Sequence, residues 1–323
     1  MKINAKYILI PFLCLLGVPA GAQSVAFLET VPDARGAAMG GVGTATAADA
    51  WSVYWNAAKA VTASSRMAVD YSYSPWMKDF IDDSRLQRVG AYYRLDKKQA
   101  IVAGFRHIAN GKFEIFSDNG ESLGTVNPRE YAFEAGYARS LFAGFSAAAT
   151  IRYIRSDMGN LQGADAADAV AFDISCYYQK MMKLGRKEAI WSAGLQVADL
   201  GNRIKYDKSE YALPARLNAG TALTVHLSKH HVLTGAADLN YRMLPSESTT
   251  VSGSVGIEYG LWDILYLRSG YHWGDMEKSC GDYIGWGAGL HYKYATMGFA
   301  WRSAVESGDP LDKTMTFTLG FNF

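Results

Sequence analysis

Cysteine and proline are scarce, 3 and 8 among 323 residues. Only Cys176 and Cys280 lie beyond the N-terminal leader, too few for a disulfide framework. Neither sign of charge is in excess, since 32 Lys and Arg face 31 Asp and Glu. That balance excludes the basic footprint that binds nucleic acid and the like-charged tail of a disordered segment. The 6 histidines are scattered, and no Cys, His and carboxylate grouping has metal-ligand spacing. No Ser/His/Asp constellation or phosphate loop stands out, and Gly40-Gly41-Val42-Gly43 lacks the strand–helix setting of a dinucleotide fingerprint. No metal or cofactor is therefore expected. Beyond residue 24 no apolar run approaches the roughly 20 residues of a membrane helix, which excludes a polytopic helical membrane protein.

What is abundant is glycine and aromatics: 32 Gly, 20 Tyr, 14 Phe and 8 Trp, a β-rich composition. The N-terminus reads as an export signal over 1–22. Lys2 and Lys6 form its basic start, Tyr7 to Val18 its apolar core, and Ala20-Gly21-Ala22 its small-residue cleavage site. Leu13 ahead of Cys14 is not the small residue that lipoprotein processing requires.

From Met67 onward, apolar and polar residues alternate in segments of about ten, the length of a transmembrane β-strand. Leu217, Ala219, Thr221, Leu223, Val225 and Leu227 share one face, and Arg216, Asn218, Gly220, Ala222, Thr224 and His226 the other. The pattern predicts fourteen strands, over 66–75, 85–95, 98–108, 128–141, 144–156, 167–179, 187–198, 214–228, 230–243, 249–259, 263–274, 281–292, 294–304 and 314–323. Tight turns alternate with longer loops, as the periplasmic turns and extracellular loops of an outer-membrane barrel do. Charges including Asp70, Arg88, Glu134, Arg152, Asp173, Arg216, Asp238, Arg242 and Glu258 fall on the polar face. There they face the lumen, whereas a charge facing lipid costs a few kcal/mol. The fold expected is all-β, a 14-stranded transmembrane outer-membrane β-barrel over 66–323. Phe317, Phe321 and the terminal Phe323 resemble the C-terminal signal read by the barrel-insertion machinery.

Residues 23–65 do not alternate. Small residues there permit close backbone packing, while Trp51, Tyr54 and Trp55 seek burial. They are expected to form an N-terminal hatch, or plug, folded into the lumen rather than a loose tail. Asp33 and Arg35 are expected to pair with lumen charges such as Arg88 or Glu134, and Asn56 to cap backbone groups at the hatch exit.

Residues 27–60 resemble the hatch of the PorV family of the type IX secretion system, within the wider FadL-like barrel group. The resemblance rests on Phe27-Leu28, Pro32-Asp33-Ala34-Arg35, Met39-Gly40, Ala45-Thr46, Asp49-Ala50 and Tyr54-Trp55-Asn56, then Lys59. It continues through Tyr73-Ser74-Pro75-Trp76, Gly90-Ala91-Tyr92-Tyr93, Arg152-Tyr153-Ile154 and Tyr177-Tyr178-Gln179-Lys180. The family usually has Asn-Pro-Ala where this chain has Asn56-Ala57-Ala58, so a rigid turn is relaxed.

The resemblance implies a non-enzymatic barrel in outer-membrane lipid, docking beside a SprA-like translocon channel. It implies capture of cargo proteins by their C-terminal signal domains and delivery to subunits of a surface attachment complex. The first long loop, with Trp76, Met77, Phe80 and Ile81, has the apolar character of such a contact surface; equally, it would fold inward and cap the barrel. Two other readings stay open: a FadL-like transporter of hydrophobic small molecules, and a structural subunit of another outer-membrane assembly. The charged inward face weighs against the transporter.

Overall fold

The computed structural model describes residues 25–323 except 79–80, 82, 117–118, 121, 160–165, 207–208, 307 and 310. The expected signal segment 1–22 therefore lies outside the described residues. The first strands are β1 (Met67–Pro75), β2 (Arg85–Arg94), β3 (Gln99–Ala109), β4 (Phe113–Phe116), β5 (Ser122–Val126) and β6 (Arg129–Phe142). Next come β7 (Phe145–Asp157), β8 (Ala167–Leu184), β9 (Lys187–Gly201), β10 (Ile204–Tyr206), β11 (Ser209–Tyr211) and β12 (Arg216–Ser228). The last are β13 (His231–Arg242), β14 (Thr250–Leu261), β15 (Leu265–Trp273), β16 (Tyr283–Tyr292), β17 (Ala295–Ala304) and β18 (Met315–Asn322).

Fourteen of these close a barrel in which every neighbour pair is antiparallel and β1 bonds both β2 and β18. The seam is tied at its end by reciprocal backbone bonds between Met67 and Phe323, 2.9 and 2.8 Å. β4–β5 and β10–β11 are separate hairpins carried by two of the long loops.

Alternation decides which way each residue points, and the polarity is inverted relative to a water-soluble sheet. In β1 the inward Asp70, Ser72 and Ser74 are buried while Val69 and Tyr71 are about two-fifths exposed. Around the barrel, outward residues such as Ile101, Phe133, Ile151, Phe172, Ile257 and Leu319 are likewise exposed. Inward Arg88, Glu134, Arg152, Asp173 and Glu258 are buried. An apolar outer band around a polar interior suits a wall with lipid on one side, where a cation at mid-bilayer would cost about 2–4 kcal/mol.

Residues 26–62 lie inside this wall. They form α1 (Ala34–Ala38), α2 (Ser52–Trp55) and short 3₁₀ turns at Ala26–Glu29 and Ala57–Thr62. α1 packs on β15–β18, α2 on β2, β3 and β6, and the second 3₁₀ turn on β2, β3 and β6–β8. One short segment thus touches opposite walls. Three glycines in cross-strand register, Gly256, Gly270 and Gly285, let the backbone of Ala37 to Gly40 lie directly on β14–β16. A Cβ at any of them would run into the Ala37 or Met39 backbone.

The fourteen expected strands coincide with the barrel strands to within a few residues, with three local differences. β8 runs on to Leu184 rather than ending near 179, because Lys180–Leu184 remain paired with β9 down to Leu184↔Lys187. The turn expected at 260–262 lies at 262–264, since Gly260 and Leu261 still pair with β15. The expected long loops after β3 and β9 each carry a small hairpin.

Candidate functional site

The largest ionic cluster spans one side of the lumen. Glu134 of β6 accepts from Arg152 of β7 (2.8 Å) and pairs with Arg106 of β3. Arg152 also pairs with Asp173 of β8 (2.9 Å) and with Asp199 of β9. Asp199 in turn lies 3.5 Å from Arg216 of β12. The Tyr54 ring is inserted between the last and first members, 4.5 Å from the Arg106 guanidinium and 5.1 Å from that of Arg216. Cation–π attraction is strongest where water is excluded, so these contacts fasten α2 to the wall.

Asp199 is the member that strand alternation does not reveal. Its φ of 60° sits beside a bulge, where the β8–β9 register shifts between Phe172 and Ile174. The bulge turns both Ala198 and Asp199 inward. Its signal in the sequence is only an aspartate next to a glycine-ended strand.

The expected inner-segment residues meet, though with partners different from those expected. Asp33 caps α1 by accepting from the Gly36 amide (2.9 Å) and also accepts from the Trp55 indole (3.0 Å). Burial and the neighbouring Asp49 charge push its carboxyl above the usual range. Arg35 does not reach Arg88 or Glu134. It forms a bidentate pair with Glu258 of β14 (2.9 and 2.8 Å), which Arg268 shares, and it reaches Asp49 at 3.3 Å. The physical reason is placement: α1 lies on the wall opposite Glu134, whose carboxylate is already held by Arg106 and Arg152.

Met39 is fully buried at the end of α1, and Gly40 and Gly41 follow at positive φ (74° and 87°). Asp238 of β13 accepts from the amides of Gly43 and Thr44, both at 2.8 Å. Trp51 and Trp55 are buried. Asn56 accepts from the Ala58 amide (3.1 Å) and donates to the carbonyls of Cys176 (2.9 Å) and Thr44 (3.3 Å). Lys59, a lumen charge that strand alternation does not reveal, donates to the Gly43 carbonyl at 2.8 Å with no exposed surface. Burial lowers its ammonium below the usual range.

In the first long loop, Trp76 is half-buried against a cluster that includes Val25, Phe27 and Leu86. Met77 has positive φ (48°) and Ile81 donates back to its carbonyl at 2.9 Å, with both side chains half-buried. Phe80 lies outside the described residues. At the other terminus Phe317, Phe321 and Phe323 are roughly half exposed on the outer face, Phe323 stacking on Tyr294.

Between the inner segment and the long loops lies a cavity of about 350 Å³. Its wall includes Arg88, Arg216, Arg242 and Arg302 together with Trp55 and Trp76. The four arginines sit toward the long-loop ends of their strands.

A closed fourteen-strand barrel with an apolar outer band and a charged, occupied interior is an outer-membrane β-barrel. The chain belongs to the PorV family, since residues 20–249 match the family model of the type IX secretion system protein PorV. No curated protein matches it. Among solved structures it is similar to the toluene transporter TodX of Pseudomonas putida, with 13% identity, a TM-score of 0.63 and coverage of 92% of this chain and 99% of that one. It is also similar to the toluene transporter TbuX of Ralstonia pickettii (10%, 0.57, 92% and 99%). A third likeness is to a FadL homologue of Pseudomonas aeruginosa (9%, 0.51, 91% and 99%). At these identities the likeness is one of fold.

Proposed function

We propose that this chain is a non-enzymatic barrel of type IX secretion that grips secreted cargo by its C-terminal signal domain at the long-loop face. It then carries the cargo from a SprA-like translocon channel to the surface attachment complex. The observation that supports this reading is the filled lumen. The inner segment is tied to the wall through Arg35–Glu258, Asp238 and the Arg106–Tyr54–Arg216 sandwich. A conduit for a hydrophobic molecule calls for a continuous apolar path, which a ring of ion pairs does not offer. The work is therefore assigned to the loop face and the lipid-facing wall, with residues 25–63 acting as a plug. Met77 and Ile81 are proposed as part of the grip, and Trp76 as its anchor to the barrel.

Affinity purification of the tagged protein from native outer membranes tests this. Recovery of a SprA-like channel, or of secreted proteins that still carry their C-terminal signal domains, supports the reading. Recovery should fall when Met77 and Ile81 are both changed to Ser. If only lipids or unrelated envelope subunits accompany the barrel, the shuttle role fails and the outer-membrane barrel remains.

A further inference from the structure

Among the described residues, Arg88 of β2 is the arginine of the cavity wall that forms no ion pair with a carboxylate, Asp33 acting on it only from a longer range. Among the described residues, Arg242 pairs with Glu29, Arg302 with Asp309 and Arg216 with Asp199. The Arg88 guanidinium meets only the Thr30 hydroxyl (2.9 Å) and, more weakly, the Pro32 carbonyl (3.4 Å). Its Nε has no partner, and the residue is 1% exposed. A guanidinium carries five N–H donors, and a buried charge left without a counter-ion is costly. The cavity of about 350 Å³ beside it is where a counter-ion would sit.

The rest of the wall says what else the ligand carries. Asn218, Asn240, Ser252, Thr250 and Thr316 supply amide and hydroxyl groups, and Trp55, Trp76 and Val31 supply apolar faces. Hydrocarbon alone would leave the Asn218 Oδ1, which has no partner in the wall, unpaired. A peptide end matches both, because its amides meet the hydroxyls and its side chains meet the rings. The volume suits two or three residues.

We propose that this cavity is a binding site for the C-terminal carboxylate of a peptide chain, with Arg88 as the group that recognises the carboxylate. Bidentate pairing of arginine with a carboxylate is the strong form of such a contact. The inference rests on the client-binding reading only for where the peptide comes from. In that setting the last residues of a bound cargo domain would enter from the long-loop face.

The test uses the purified full-length mature barrel in detergent, with tryptophan fluorescence as the readout because Trp55 and Trp76 line the cavity. The probes are an acetylated leucine dipeptide with a free carboxylate, its C-terminal amide, and octanoate. The acid should bind at least tenfold more tightly than the amide or octanoate. Arg88→Gln should weaken the acid by tenfold or more, and Arg88→Lys by less. Cold gel mobility of each variant verifies that the barrel is folded. Equal binding of acid and amide, tighter binding of octanoate, or no loss in Arg88→Gln would overturn the proposal, as would absence of binding to the unaltered barrel. Co-purification of cargo with the unaltered barrel and with Arg88→Gln separates the two ideas. Equal recovery from both overturns this site as a cargo contact while the client reading stands. Acid binding without any cargo recovery leaves the site standing and defeats the client reading.

Discussion

At the scale of single residues, the interior is held by charges whose value depends on having partners. Glu134 answers both Arg106 and Arg152 with almost no exposed surface. Removing it leaves Arg106 with the Leu28 carbonyl and the Tyr54 ring but no carboxylate. Glu134→Ala should therefore destabilise the folded barrel by about 3–5 kcal/mol, the usual result of stranding a buried charge. Glu134→Gln, which keeps an acceptor, should cost less. The temperature at which the folded band converts to the unfolded one on a semi-native gel reads both, and an unchanged conversion temperature for Glu134→Ala would refute the assignment. Asp33 makes a different prediction. Its carboxyl is raised above the ordinary value of 3.8 by burial first and by Asp49 second. The folded state thus binds the proton more tightly than the unfolded chain. That contribution is complete below the ordinary value and is lost as pH rises through the raised one. Asp33→Asn mimics the neutral form, so the stability gap between the natural barrel and this variant should shift toward the natural barrel as pH falls from 7 to 4. A gap that moves the opposite way would contradict it.

At the scale of elements, the strands were legible because each carries its own evidence. A period of two in ten residues is local information, and a transmembrane wall with an apolar outside enforces it on every strand. The fourteen expected spans accordingly match β1–β3, β6–β9 and β12–β18 closely. What alternation cannot supply is a pairing across the lumen. Arg35 finds Glu258, 223 residues away, and not Arg88 or Glu134. Nothing in the local sequence says which wall α1 will lie on. Asp199 was hidden for another reason, since its bulge breaks the parity on which the reading depends. A usable clue did exist in the glycines. Gly256, Gly270 and Gly285 all stand at inward positions of successive strands, and they make the bed for Ala37 to Gly40. Gly270→Leu should let the barrel form but lift this stretch from the wall. Trypsin should then cut at Arg35 or Lys59, which are shielded in the unaltered protein. Continued resistance would mean that the glycine bed is not what seats α1.

At the scale of the whole molecule, wall and filling are two parts of one problem. A barrel of eight strands is filled by its own side chains, whereas wider barrels leave an aqueous channel unless something occupies it. With fourteen strands the interior is too wide to be closed by inward side chains alone, and many of those are Gly, Ala, Ser or Thr where the inner segment lies against them. The segment from 26 to 62 lies in that space, and its Arg35 and Glu29 complete ion pairs with Glu258 and Arg242 of the wall. On the proposed plug reading, the seal and the electrostatic balance are the same structure, and removing the segment should do two things together. Deletion of 34–62 should turn a barrel that shows no steady conductance in a planar bilayer into one that conducts. It should also lower the folded-to-unfolded conversion temperature, because Glu258 and Asp238 lose the partners they meet in the segment. Conductance through the unaltered protein equal to that of the deletion would show that the segment does not close the lumen. The proposed reading takes the lumen as closed and gives partners the loop face and the outer wall, so an open resting pore would weaken the client-carrier reading at its base.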